Sequence, residues 1–403
     1  MSRRDRLPRI LVLSASVGAG HVRAAEAVEL ALRAPGPAAT VHNVDVLTLT
    51  NPLFRRLYAK TYLDMVTKAP NLAGLVYDLT DQAPSITKRG DRLRILVERL
   101  NLGELMKLLR KGPDGTDDWA ATGGWDLVVN AHFLPAEMIS RLRRKRELGH
   151  WGKNLRQVTV VTDFDAHGLW VNDPTDHYFC ATEEAAISLG RWGVERSAIT
   201  VTGIPIHPVF AAPKDAGACR SKHGLSPDRP VVLLLAGGFG VGPVEELYQA
   251  ALRVATPVHV VVVSGKNAKL KARLEGIAVP RKHRATVLGF TREMDELMAA
   301  ASVVVSKPGG LTTSEVLARA AAMAIVNPIP GQESRNSDHL LEHGAAIKAA
   351  SPALLTYKLD RLLQDPSRLA QLRKNAAALG RPRAAFDIAE RVLRYASEVC
   401  AGR

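Results

Sequence analysis

Cysteine is scarce in this chain, with three residues in 403, at positions 180, 219 and 400. They are odd in number, far apart and in no metal-binding spacing, which excludes a disulfide framework or a zinc module and fits a reducing cytoplasm. Aromatic residues make up only 5%, so platforms for stacking nucleic-acid bases are few. No apolar run approaches the roughly 20 residues needed to cross a bilayer. The densest, at 258–263, is broken by His259 and has the length of a buried strand. The basic start, residues 1–9, leads into a strand without a signal-type apolar region. Two phosphate-binding signatures are also missing. No Gly-x-x-x-x-Gly-Lys-[Ser/Thr] is present, which argues against a P-loop enzyme. The loop after the first strand has Arg23 where a dinucleotide-binding Gly-x-Gly-x-x-Gly needs its last glycine.

What the chain does have is positive charge, a net +14 beside 46% hydrophobic and 23% charged residues. The composition is that of an ordinary globular protein long enough for two domains, and the charge implies an anionic partner. It is locally dense: 88–111 carries eight Lys/Arg against three acids, and 141–156 carries seven against one. Within a helical insertion at 52–111, Leu105, Met106, Leu108 and Leu109 alternate with Lys107 and Arg110. Such a helix either packs on its domain with a solvated basic face or lies on an anionic membrane surface.

Along the chain the pattern repeats as strand, loop, helix. Apolar runs at 9–14, 41–46, 125–130, 157–162 and 177–181 read as strands, and the first is followed by a glycine turn and a helix over 21–33. The pattern restarts at 231–236, with further strands at 258–263, 285–288, 303–306 and 324–327. Continuous apolar strands alternating with helices indicate parallel sheets covered on both faces. The fold class is therefore α/β, with two doubly wound Rossmann-like domains facing a central cleft. The boundaries fall at 1–206 and 212–382. The polar stretch 213–230 reads as a linker, and the closing helix, 383–403, can pack back on the first domain.

The sharpest local signal is Ser306-Lys307-Pro308-Gly309-Gly310-Leu311-Thr312-Thr313-Ser314-Glu315. A strand ends, glycines turn the chain without side chains in the way, and a helix begins whose free N–H groups suit a diphosphate. Glu315 lies one turn in, where a carboxylate can accept from ribose hydroxyls. The bland alternative is a capping box formed by Thr312 and Glu315. After the next strand, Gln332, Glu333 and Asn336 offer polar groups for sugar hydroxyls. Phe290 and Thr291, after another strand, place a ring and backbone beside a base.

Together, Gly-Phe at 289–290, the 306–315 segment and Pro-Ile-Pro-Gly-Gln-Glu at 328–333 resemble the UDP-sugar domain of the glycolipid glycosyltransferases. That family includes monogalactosyldiacylglycerol synthases and processive diacylglycerol glucosyltransferases, and is more distantly similar to MurG. The first domain resembles it at Gly18-Ala19-Gly20-His21, at Thr162-Asp163-Phe164-Asp165-Ala166-His167-Gly168-Leu169-Trp170 and at Gly203-Ile204-Pro205-Ile206. The first loop carries less glycine than many relatives. The resemblance implies a GT-B fold, an inverting mechanism, a UDP-hexose donor, a diacylglycerol-type acceptor and no obligatory cofactor or metal. It places uracil near Phe290 and Thr291, ribose at Glu315 and diphosphate along Gly309, Gly310, Leu311 and Thr312. Donor hexose then falls near Gln332, Glu333 and Asn336, with Gly237, Gly238, Phe239 and Gly240 close to the phosphates. On the acceptor side it points to Gly18, Gly20, His167 and Trp170.

His21 follows a glycine turn at a helix start, where the dipole favours a neutral imidazole able to take a proton. The alternative is a histidine that merely caps or packs. Asp163 is the second candidate, as base or as orienter of His21, a role open also to Asp165. Hexose transfer to glucose- or galactose-type products on a membrane lipid, at the inner face of the cell membrane, is the expectation. The alternatives are a MurG-like transferase with another acceptor, or a basic nucleic-acid-binding protein. The charged runs lack the aromatic interleaving that the last would need, so no nucleic-acid partner is expected.

Overall fold

The computed structural model describes residues 6–36, 38–52, 54–56, 97, 100–113, 119, 124–149, 151–237 and 243–401. The chain divides into two compact units, Met1–Pro208 with Arg383–Arg403, and Val209–Pro382.

The first unit is built on a six-stranded sheet: β1 Arg9–Ser14, β2 Thr40–Asp45, β3 Leu127–Asn130, β4 Arg156–Val160, β5 His177–Cys180 and β6 Ile199–Val201. Its spatial order is β2-β1-β3-β4-β5-β6, and every neighbouring pair is parallel. Both faces of β1 are covered, so Ile10, Leu11, Val12 and Val128 of its neighbour are fully buried. Each such side chain contributes roughly 1.5–3 kcal/mol relative to exposure. The helices are α1 Ala19–Arg33, α2 Gly103–Lys111, α3 Phe133–Arg144 and α4 Glu183–Arg191. The edge strand β6 escapes the sequence pattern because it is only three residues long, Ile-Thr-Val, without a run to detect.

A buried ion pair clips the start of this unit together. Arg6 lies 2.6 Å from Asp126, whose side chain is 0% exposed, and the same carboxylate accepts from the Arg9 backbone at 2.8 Å. Removing one partner of such a pair strands a buried charge and costs about 3–5 kcal/mol.

The structure resolves what the basic runs do where it describes them. Leu105 and Leu109 of α2 are buried in the core, with Met106 and Leu108 packed against it. On α2, therefore, the leucines form an inward face and are not available to enter a headgroup layer. In 141–156 four of the five arginines make contacts that serve the fold. Arg141 donates to the carbonyls of Val97 and Leu100, and Arg144 pairs with Glu137. Arg143 and Arg156 both lie 2.7 Å from Asp176. Burial alone would raise the Asp176 carboxyl, but the two guanidinium groups hold it below its usual range. Arginine-rich sequence reads as surface charge until the carboxylates and carbonyls it meets are known. Most of the insertion, residues 57–96, lies outside the described residues.

The second unit repeats the architecture with β7 Val231–Leu235, β8 His259–Val263, β9 Arg284–Leu288, β10 Val303–Ser306, β11 Ala322–Val326 and β12 Ala346–Ala349. The order is β12-β11-β10-β7-β8-β9, again parallel throughout. Its helices are α5 Ala216–Lys222, α6 Val244–Leu252, α7 Ala268–Glu275, α8 Met294–Ala300, α9 Gly310–Ala318, α10 Gln332–Glu342, α11 Pro352–Leu363 and α12 Pro366–Leu379. The expected linker at 213–230 is in fact part of this unit. Asp215 caps α5, and the helix is tied to α8 by Lys214 with Asp295 and Glu296 and by Lys222 with Glu293 and Glu296. Its charges are structural, which a polar sequence conceals.

The closing helix α13, Ala384–Ala401, packs on α1 and β3 of the first unit. Its buried Ile388, Val392, Ala396 and Val399 recur at helical spacing. Tyr395 Oη lies 3.1 Å from His177 Nδ1, anchoring it to β5.

Candidate active site

In each sheet the chain reverses direction of winding once, between β1 and β3 and between β7 and β10. Ligands of doubly wound sheets bind outside the carboxyl ends of the strands at such points. The candidate residues gather at these two edges.

In the first unit, β1 ends at Ser14 and the chain turns through Gly18 into α1. Gly18 has φ −172°, extended backbone, and a Cβ there would meet nothing within 4 Å. Glycine is thus not demanded by the fold at this point, and its absence of side chain leaves clearance. Gly20 and His21 lie in the first turn of α1. After β3 come His132, which caps α3 by accepting from Leu134 N at 3.0 Å, and Phe133. After β4 come Thr162, Asp163 and His167. His167 caps the short turn Gly168–Trp170.

These side chains form one aromatic cluster. The His21 and His132 rings stand edge to face, centroids 4.5 Å apart at 84°. Trp170 lies 6.2 Å from His21, and Phe133 meets Trp170 at 5.7 Å and His167 at 5.8 Å. The Trp170 indole N–H is buried with no hydrogen-bond partner among the described residues. His21 Nδ1 lies 2.9 Å from Thr162 Oγ1. Burial pushes the His21 pKa down to about 4, only partly opposed by a hydrogen bond with the Ala131 backbone. His132 is pushed well below its ordinary value by burial and then by His21 and His167. Both rings also sit at helix N-termini, where the dipole opposes a cation. At neutral pH His21 and His132 are uncharged, and a neutral His21 is a proton acceptor.

Asp163 is 2% exposed. Asp165 accepts from Ser188 Oγ at 2.7 Å and from Ala166 N at 2.8 Å, so it shapes its own loop. The group facing His21 Nδ1 is the Thr162 hydroxyl. Sequence reasoning missed Thr162, His132 and Phe133. The signal was present in Asn130-Ala131-His132-Phe133, the exit of a strand, but it becomes legible only once β3 is known to lie beside β1.

In the second unit, the glycine cap of α9 has no side-chain acceptor for the first amides. Several helices away from the two switch points have one: Thr182 on α4, Ser351 on α11 and Asp365 on α12. Gly309 has φ −66°, and the nearest atom to a Cβ there is Glu333 Oε1 at 3.8 Å. The turn therefore keeps open the amides of Gly310, Leu311 and Thr312, which have no intrahelical partner. Thr313 Oγ1 is buried with no hydrogen bond among the described residues. Glu315 is 1% exposed. Gln332 and Glu333 open α10, whose cap Gly331 requires φ 94°. Glu333 Oε2 accepts from Ile329 N at 2.7 Å. Burial raises its carboxyl, offset in part by that bond and by Lys307. Asn336, 1% exposed, donates to the Pro308 carbonyl at 3.0 Å and so holds the turn before α9. Phe290 is 62% exposed after β9, with Lys266 Nζ 5.6 Å over its ring. Thr291 accepts from Glu293 N. Gly237 follows β7 with φ 74°; Gly238, Phe239 and Gly240 lie outside the described residues.

Comparisons with known proteins bear on both edges. Residues 121–206 match the family model for monogalactosyldiacylglycerol (MGDG) synthase, and residues 242–388 match the glycosyltransferase family 28 C-terminal domain. A processive diacylglycerol beta-glucosyltransferase from Bacillus cereus is 30% identical over 388 residues, covering 96% of this chain and 93% of the relative. The chain belongs to this glycolipid glycosyltransferase family. The transferase has a 29% identical relative of the same description in Bacillus thuringiensis, over 96% and 93% of the two chains. Among solved structures, MurG from Acinetobacter baumannii superposes with a TM-score of 0.57 at 16% identity, covering 96% of this chain and 100% of that one. HepE from Anabaena, in complex with UDP, gives 0.52 at 15%, covering 98% and 100%. At those identities the likeness carries the fold, which is GT-B. Among the described residues no helix is long and apolar enough to cross a membrane.

Proposed function

We propose that the transferase moves a hexose, glucose or galactose, from UDP-hexose to the hydroxyl of diacylglycerol or a related membrane lipid, with inversion at the anomeric carbon. The unit with β1–β6 takes the acceptor and the unit with β7–β12 takes the donor. The observation that carries the reading is the pairing of a neutral imidazole at one switch point with an uncapped helix N-terminus at the other. That the Bacillus relatives are processive diacylglycerol beta-glucosyltransferases supports the lipid acceptor.

In a single displacement the acceptor oxygen forms a bond to the anomeric carbon while the bond from that carbon to the diphosphate oxygen breaks. The electron pair leaves with UDP, whose diphosphate the first amides of α9 stabilise. The acceptor proton passes to His21. With a folded-state pKa of about 4, His21 is deprotonated and ready at neutral pH. Its basicity matches the late stage of the step, when the acceptor oxygen has become acidic through bonding to carbon. Glu315 and Phe290 bind ribose and base, and Gln332 and Glu333 bind the hexose. The transferase works peripherally at a membrane surface, and with four of the five arginines of 141–156 tied into the fold, salt-sensitive attachment falls mainly to the 52–111 insertion.

Incubation with diacylglycerol vesicles and a panel of UDP-sugars, followed by mass spectrometry and sugar analysis of the lipids, tests this. Hexosyl-diacylglycerol from UDP-glucose or UDP-galactose is the expected product. Hexose transfer to a water-soluble acceptor alone would contradict it.

A further inference from the structure

Thr162 has no part yet in the reaction. It lies two residues beyond β4, is 3% exposed, and its hydroxyl meets His21 Nδ1 at 2.9 Å. On its other side the His21 ring abuts the edge-to-face ring of His132 at 4.5 Å. His132 is itself fixed: Leu134 N donates to its Nδ1, so a neutral His132 carries its proton on Nε2. His21 thus sits between a hydroxyl that engages one named nitrogen and a ring that cannot turn without losing a helix cap. An imidazole can present either nitrogen by a ring flip and can carry its proton on either one. Four arrangements follow, and a general base uses one of them.

Resting on the reading of His21 as the base, we propose that Thr162 is a positioning residue: its hydroxyl, with the fixed His132 ring as backstop, holds His21 in one orientation, in which the ring's hydrogen bond with the Ala131 backbone selects one tautomer. In many enzymes a carboxylate orients the histidine and also stabilises the imidazolium. A neutral hydroxyl orients without adding negative charge, which agrees with a histidine kept weakly basic by burial among aromatic rings. Asp165 accepts from Ser188 and from its own loop, and the Thr162 hydroxyl is the side-chain group that meets His21 Nδ1.

The test uses the full chain, diacylglycerol vesicles and whichever of UDP-glucose and UDP-galactose is turned over. Thr162→Val keeps the volume and removes the hydroxyl. Its kcat should fall on the order of ten- to a hundredfold, as for a misplaced catalytic group, with KM for the UDP-sugar unchanged. Thr162→Ser should restore kcat to within about threefold. In protein labelled with 15N-histidine, the His21 ring should show one tautomer in the wild type and Thr162→Ser, and a mixture in Thr162→Val. In a His21→Ala background, Thr162→Val should have no further effect on turnover. Unchanged kcat and an unchanged His21 tautomer in Thr162→Val would overturn the inference, as would an undiminished effect in the His21→Ala background. Full turnover by His21→Ala alone would instead remove His21 as the base, while the tautomer spectrum would still report separately whether Thr162 orients it.

Discussion

Around β1 and β3, the carboxyl edge of the first sheet collects side chains: three histidines, Trp170 and Phe133, packed ring to ring, with His21 and His132 held neutral by burial. Around β7 and β10, the same edge of the second sheet collects backbone: Gly237, Gly309 and the open amides of α9, with carboxylates behind them. Both units use a six-stranded parallel sheet with one switch point, although the strand order differs: one strand lies beyond β1 in the first sheet and two lie beyond β10 in the second. What also differs is whether the loops that leave the strands carry rings or carry glycine. Neutral rings in a buried cluster are suited to accepting a proton beside an apolar acceptor. Bare amides at a helix start are suited to holding the charge of a diphosphate. On the proposed reading, one fold used twice divides a transfer reaction into proton handling and leaving-group handling.

That division is breakable by experiment. The largest effect is expected from His21→Ala, which should lower kcat by about 10²–10⁴-fold, the usual contribution of a general base, in a vesicle-based transfer assay. Next, Arg6→Ala should destabilise the first unit by about 3–5 kcal/mol, because Asp126 is left buried and unpaired. Denaturant unfolding should show the loss, and UDP binding at moderate denaturant should outlast it if the two edges are independent.

Acid should act on the same unit. His177, 2% exposed, has its pKa lowered to about 4 by burial first and by Arg391 second. Its unfolded value is near 6.5, so the unfolded chain takes up a proton that the folded chain refuses. The stability it contributes is intact above pH 6.5 and falls as pH drops from there through 4, by roughly 3 kcal/mol in full. Melting temperature should decline over that window, and His177→Gln should flatten the decline. The smallest effect concerns the other edge. At Gly309 a Cβ meets nothing closer than the Glu333 side chain at 3.8 Å, so in Gly309→Val the added bulk stands on the side where the proposed diphosphate approaches. About a tenfold rise in KM for UDP-hexose is expected, with melting unchanged.

Much of this was legible in the residues. Strands β1, β7, β8 and β10 announce themselves as apolar runs, and the Gly-Gly turn before Glu315 marks the second site because bare backbone leaves a composition signal. The first site hides better. His132 and Thr162 are ordinary residues at strand exits, and their meaning depends on which strands become neighbours. The edge strand β12, Ala-Ile-Lys-Ala, is too short and mixed to show a period. Helix α5 reads as linker because its charges are satisfied only in three dimensions by α8. The pairings of Arg143, Arg144 and Arg156 with Asp176 and Glu137 are hidden for the same reason, because the partners are brought together only by the fold.

The division of labour is tested most directly by measuring UDP affinity and turnover together in His21→Ala and Gly309→Val. The account predicts a crossed result: His21→Ala keeps UDP affinity and loses turnover, whereas Gly309→Val weakens UDP and keeps kcat at saturating donor. A parallel loss of both quantities in both variants, or full turnover by His21→Ala, would contradict it.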